Sequence, residues 1–239
     1  MPRLAWFLVT FLLFFRSLSA PAQETLVISG IEKSSYATIS ERVMREAYGR
    51  MGITVEFSGL PAERALVVAD SGRVDGELYR IKNVHLKYPN LIMLPVPIGI
   101  MEGIAITTDP GIELKNWDDL GHYSVCIRTG VKFAEAGTRH LQVQTVNSNE
   151  LMFQMLGLER CDVIVLARLT SIALAQEFSR RENKPVQYHL LQTYPLFHYL
   201  HKKNAHLVPE LTTVLEAMKS EGRIAAIRAA YIEEISSIY

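Results

Sequence analysis

Along this chain the apolar positions switch repeatedly between a two-residue and a three-to-four-residue period, which predicts strands and helices in turn. Residues 25–29 read as a short buried strand, and residues 30–38 as a loop. Ser40 and Glu41 then open a helix in which Ile39, Val43, Ala47 and Met51 recur every fourth position until Gly52 ends it. Residues 53–57 alternate apolar and polar side chains, a strand period. Pro61 suits the first position of a second helix that runs to Ser71 and Gly72, and residues 74–79 form the next strand. Strand, helix, strand, helix, strand in that order implies a parallel sheet flanked by helices.

The second half repeats the theme without repeating the sequence. Residues 117–120 make a single turn broken by Gly121, and residues 123–127 a strand. Thr129 and Gly130 lead into a helix over 132–140. Strands follow at 142–146, 162–166 and 186–191, separated by helices at 149–156 and 170–180. Residues 197–201 are extended, Pro209 opens another helix, and the last helix runs from Arg223 to about 235. The result is two α/β units of about 100 residues each, joined by extended crossings at 103–108 and 192–195. Two such crossings make a hinge, and pockets sit preferentially at domain junctions.

The first residues bear on the compartment. Arg3 precedes an apolar run from Leu4 to Phe15, broken only by Thr10, and Ala20 and Ala22 then fit a small-residue cleavage site. The run is 12 residues long, against the roughly 20 needed to span a bilayer. We therefore expect residues 1–22 to be a cleaved leader and the mature chain to be soluble and periplasmic. The whole chain has 25 basic and 25 acidic residues; without Arg3 and Arg16 the balance is 23 to 25. No basic excess exists for phosphate binding, which argues against nucleic acid. Cys126 and Cys161 are the two cysteines. An oxidising compartment permits them to pair, but we read them first as two buried thiols. They have no histidine pair at ligand spacing, the seven histidines are scattered, and no nucleophile triad or HExxH pattern occurs, so no metal or cofactor is expected.

Five short stretches together resemble the family 3 solute-binding proteins, the periplasmic receptors of polar amino-acid ABC importers. They are Arg64-Ala65-Leu66 followed by Gly72-Arg73-Val74-Asp75-Gly76; Trp117-Asp118-Asp119-Leu120; Val125 to Gly130; Cys161 to Val165; and Met218 to Gly222. The resemblance implies a two-lobed, type II periplasmic-binding-like α/β fold, each lobe a mostly parallel sheet flanked by helices. Lobe one would comprise residues 23–104 plus 196–239, and lobe two residues 105–195. It further implies a monomer that binds a small-molecule solute and docks on an inner-membrane ABC permease or a sensor.

Arg80 closes the strand of residues 74–79, where strand ends face a crevice, and its guanidinium can grip a carboxylate with two parallel bonds. The alternative is a surface arginine paired with Glu77 or Glu102. Arg128, Thr129 and Gly130 form a polar loop whose N–H groups could meet an anion, or a plain turn. Tyr36, on the loop after the first strand, could stack on a solute. Glu63 and Arg64 either border the cleft or form a solvated first turn. Family receptors usually place an acid after the strand matching 162–166, to pair an ammonium; here Ala167 or Arg168 stands there, and Glu77 is the substitute. We therefore expect an anionic organic solute or an amino acid. The rival readings are a cyclohexadienyl-dehydratase-like enzyme and a free-standing sensor.

Overall fold

The computed structural model describes residues 25–236, so the expected leader lies outside the described residues. Strands β1 (Thr25–Ile31), β2 (Thr54–Leu60) and β3 (Gly76–Arg80) form one parallel trio with β1 in the middle. Strands β5 (Val125–Arg128), β6 (Val143–Val146) and β7 (Val163–Ala167) form a second, centred on β5. Two long antiparallel strands, β4 (Leu91–Thr107) and β8 (Gln187–His201), run through both halves. All eight belong to one sheet, in the order β2-β1-β3-β8-β4-β7-β5-β6. The chain is thus α/β as expected, with each half mostly parallel. Both expected lobe boundaries fall inside β4 and β8.

Strand alternation decides which helix covers which face. In the first half Leu26 and Ile28 pack toward α1 (Ser35–Arg50), α6 (Val208–Ser220) and α7 (Arg223–Ser236), whereas Val27 packs toward α2 (Ala62–Asp70) on the other face. In the second half Cys126, Ile164 and Leu166 meet α4 (Asn149–Gly157) and α5 (Arg168–Glu182); Val125, Ile127, Val163 and Val165 meet α3 (Lys132–Gly137). The short apolar runs of these strands therefore feed two cores each, as expected of strands buried on both faces. Among the described residues no helix is long and apolar enough to cross a membrane.

Four local expectations are corrected. Helix α1 begins at Ser35, inside the expected loop, because the Ser34 hydroxyl caps it by accepting from the Ala37 N–H at 3.4 Å. Tyr36 is therefore a helical residue. The separate strands expected at 186–191 and 197–201 are one strand, since β4 pairs with both and continues the ladder across the crossing. Helix α3 stops at Gly137, short of residue 140. A Cβ there would stand 2.5 Å from the Trp117 ring, and the Thr138 hydroxyl turns back to the Ala134 carbonyl. Gly121 lies within the turn Asp118–His122, which it was expected to break.

The cysteines are corrected as well: Cys126 and Cys161 form a disulfide, with Cα atoms 5.8 Å apart. Cys161 lies just ahead of β7, in the turn that leads into it, and both cysteines belong to the buried cluster under α4 and α5 although the β5–β7 register pairs Cys126 with Ile164. Closing a loop of sequence separation 35 stabilises by roughly 4 kcal/mol in the chain-entropy account. Thiol titration of the unreduced, denatured protein should find no free thiol. Replacing both cysteines by serine should lower the denaturation free energy by roughly that amount.

Candidate functional site

The C-terminal ends of the two parallel trios face one another, which follows from register alone. Arg80, the last residue of β3, lies opposite Phe197 on β8, and Phe197 in turn pairs with Pro97 of β4. Ala167, the last residue of β7, pairs with Gly103 of β4. Residues 98–102 of β4 and 193–196 of β8 lie between these levels. Ligands of open α/β sheets bind beyond the carboxyl ends of the strands, so this gap is the candidate site. Its walls are the turns after β1, β3 and β5 and the start of α5, which follows β7 directly.

Arg80 stands on the first wall, already engaged. Its Nε donates to Glu77 Oε1 at 2.8 Å, one Nη lies 2.7 Å from the same oxygen, and that Nη also donates to the Ala62 carbonyl at 2.7 Å. This is the pairing weighed as the alternative reading of Arg80. Glu77 is fully buried and also accepts from the Ser29 hydroxyl at 2.7 Å, so its carboxylate is committed inside the first half and is not presented to an ammonium group. Arg80 retains one terminal nitrogen without a partner among the described residues. Arg64 is exposed on α2 with no side-chain partner among them, while Glu63 pairs with Lys87 at 2.6 Å.

On the second wall Arg128 ends β5, half-buried, and its guanidinium has no hydrogen-bond or ion-pair partner among the described residues. Thr129 is exposed and its N–H is spent on the Val146 carbonyl. Gly130 adopts φ +83°, which explains the glycine, but its N–H donates to Glu135 at 2.6 Å and is not free for an anion. The loop is therefore a self-capped turn that holds Arg128 at its edge.

Tyr36 does not lie free in a loop to stack on a solute. It is 5 % exposed in the first turn of α1, and its hydroxyl accepts the Leu169 N–H from α5 at 3.3 Å. Burial pushes its phenol up to about 12. Beside it are groups the sequence reading did not assemble: Glu102 on β4 lies between Arg168 of α5, at 3.3 Å, and Arg228 of α7, at 2.5 Å. Arg168, at the position where family receptors usually place an acid, thus turns to the hinge strand. Arg228 carried no sequence signal, because its partner is 126 residues away. A polar cavity of about 410 Å³ adjoins the first wall, lined by Glu32, Lys33, Ser34, Ser35 and Glu41 with Tyr231 of α7; neither Arg80 nor Arg128 lines it.

Two buried groups give opposite pH dependences. Burial pushes the Glu77 carboxyl from 4.5 up to about 7, against the pull of Arg80 and Ser29. Between those values the folded state binds more protons than the unfolded one, so this group lowers stability as pH rises. His198 is fully buried; its Nδ1 donates to the Leu78 carbonyl at 3.1 Å, so its Nε2 accepts from the Tyr48 hydroxyl at 2.8 Å. Burial pushes it from 6.5 down to about 4, and between those values stability rises with pH. Denaturation of the native chain and Glu77→Gln at pH 5 and pH 8 separates the two. The native chain should lose roughly 2–3 kcal/mol relative to the variant at the higher pH. An unchanged difference would show that Glu77 ionises normally.

No family model matches the chain. An uncharacterised protein of Shewanella oneidensis strain MR-1 is 28 % identical over 191 residues, covering 77 % of this chain and 72 % of that one. Among solved structures, an arginine third transport system periplasmic binding protein from Legionella pneumophila is 15 % identical with a TM-score of 0.63, covering 87 % of this chain and 99 % of that one. A histidine kinase sensor domain with similarity to periplasmic binding proteins reaches a TM-score of 0.65 at 18 % identity, covering 87 % and 96 %. An ancestral amino-acid-binding protein, a precursor of cyclohexadienyl dehydratase, reaches 0.62 at 15 % identity, covering 87 % and 95 %. Two halves facing across two shared strands, in a chain that superposes on these molecules over most of its length, give this protein the fold of the periplasmic amino-acid-binding proteins.

Proposed function

We propose that this chain is an exported solute-binding protein that holds a small polar or anionic molecule, an amino acid or an organic acid, between its two halves. The observation that carries this reading is the Arg128 guanidinium, near Glu150 of α4 but without a hydrogen-bond partner among the described residues, at a strand end that faces, across the hinge strands, the strand end that carries Arg80. A guanidinium with all its donors free is suited to a carboxylate. Arg80, held by Glu77, offers one further donor and little net charge, so Arg128 is the main grip on the ligand. If the ligand also carries an ammonium, the exposed Glu32 on the turn after β1 supplies its partner in place of Glu77.

Binding would work by hinge rotation, with residues 98–102 and 193–196 as the axis and contacts made only in the closed state as the driving force. The protein would act as a monomer in the periplasm and deliver its solute to an inner-membrane ABC permease. The similarity to a histidine kinase sensor domain supports a second output, presentation of the solute to a membrane sensor. We read the chain as a binder rather than an enzyme, and incubation with prephenate or arogenate should yield no aromatic product.

Calorimetric titration of the mature protein with amino acids and small carboxylates should find a saturable ligand. Arg128→Ala should weaken its binding by roughly 2 kcal/mol or more, about 30-fold, as when one partner of a charge pair is truncated. Arg64→Ala should leave it unchanged. Equal affinity in Arg128→Ala and the native chain would remove Arg128 from the site.

A further inference from the structure

The N-terminus of α5 has no cap of its own. Its N-cap residue is Ala167, which offers no side-chain acceptor, its first turn holds no acid, and its first residue is Arg168. A positive side chain at the positive end of a helix, above unsatisfied N–H groups, is unfavourable unless something outside the helix answers both. Here Tyr36 of the first half answers the N–H, and Glu102 of the hinge strand answers the charge as an ion pair without a hydrogen bond to Arg168. The Tyr36 hydroxyl of α1 accepts the Leu169 N–H at 3.3 Å, and Glu102 of β4 stands 3.3 Å from Arg168 Nε. Glu102 also accepts from Arg228 of α7, whose own element packs on α1 and α6 in the first half. The Leu169 side chain, 4 % exposed, sits in the first-half core with Tyr36 and Leu196 rather than in the core of the half that α5 covers.

These contacts lie on the axis between the halves. Glu102 is one residue from the register slip of β4 against β8 between Gly103 and Ile104. Rotation about these strands changes the separation of α5 from α1 and α7, which is what Tyr36 and Glu102 bridge. The carboxylate also separates two guanidiniums that would otherwise repel. We propose that Tyr36, Glu102, Arg168 and Arg228 form a latch between the halves, supplying in trans the cap that α5 lacks. Rotation of one half against the other must open it, so the latch sets how readily the molecule changes shape. The inference rests on the hinge rotation of the proposed function but on no ligand, because every group in it belongs to the chain itself.

The test uses ligand-free protein. In Tyr36→Phe, which keeps the ring, and in Glu102→Gln, amide exchange over residues 168–172 should accelerate about tenfold, the loss expected from one cap or charge-assisted bond. The double variant should also show a larger radius of gyration by small-angle scattering. Arg50→Gln, which breaks the surface ion pairs to Glu46 and Glu221 within the first half, is the control and should change neither. Exchange at 168–172 as slow as in the native chain, an unchanged radius, or equal acceleration in β1 and α5 would each overturn the latch, the last by showing only a general loss of stability.

Discussion

Two antiparallel strands that belong to both halves at once set the geometry of this molecule. The ladder between β4 and β8 runs from Leu91 and His201 at one end to Thr107 and Gln187 at the other, so neither half can form its sheet without strands that continue into its neighbour. Each parallel trio attaches to one side of this spine, β3 to β8 and β7 to β4. That attachment points the two sets of strand ends at each other. The candidate site is a consequence of this arrangement before any side chain is considered.

Charge is then distributed according to how far each group is buried. Deep groups are partnered within the chain: Glu77 by Arg80 and Ser29, and His198 by Tyr48 and the Leu78 carbonyl. An unpaired charge in those positions would cost several kcal/mol, so pairing there is a condition of folding rather than a mark of function. Arg128 differs in being half-buried at a strand end with its donors unspent. That difference makes it the stronger candidate for recognition of the two arginines at strand ends.

The seam between the halves shows how a local weakness becomes a tertiary feature. Helix α5 starts on an alanine and an arginine, a poor beginning on its own. It persists because α1 and β4 supply the acceptor and the anion. A helix start satisfied by another part of the molecule is coupled to the position of that part, which a Ser or Asp at residue 167 would have avoided.

Most of the fold was legible in the residue pattern. Runs such as 125–127 and 163–166 have only one comfortable pairing, parallel and buried, once helices separate them. Ser34, two residues ahead of Tyr36, is a cap signal in the sequence, but the apolar periodicity becomes regular only at Ile39. The sequence by itself determined the α/β order, the strand ends that bear Arg80 and Arg128, and the glycine at 130, because periodicity and backbone conformation are local properties. Tertiary structure alone decided that Arg80 is spent on Glu77, that Cys126 meets Cys161, and that Tyr36 caps α5. Those outcomes depend on distances between residues 3 to 133 positions apart, and which partner lies within reach is fixed only when the sheet register brings the segments together.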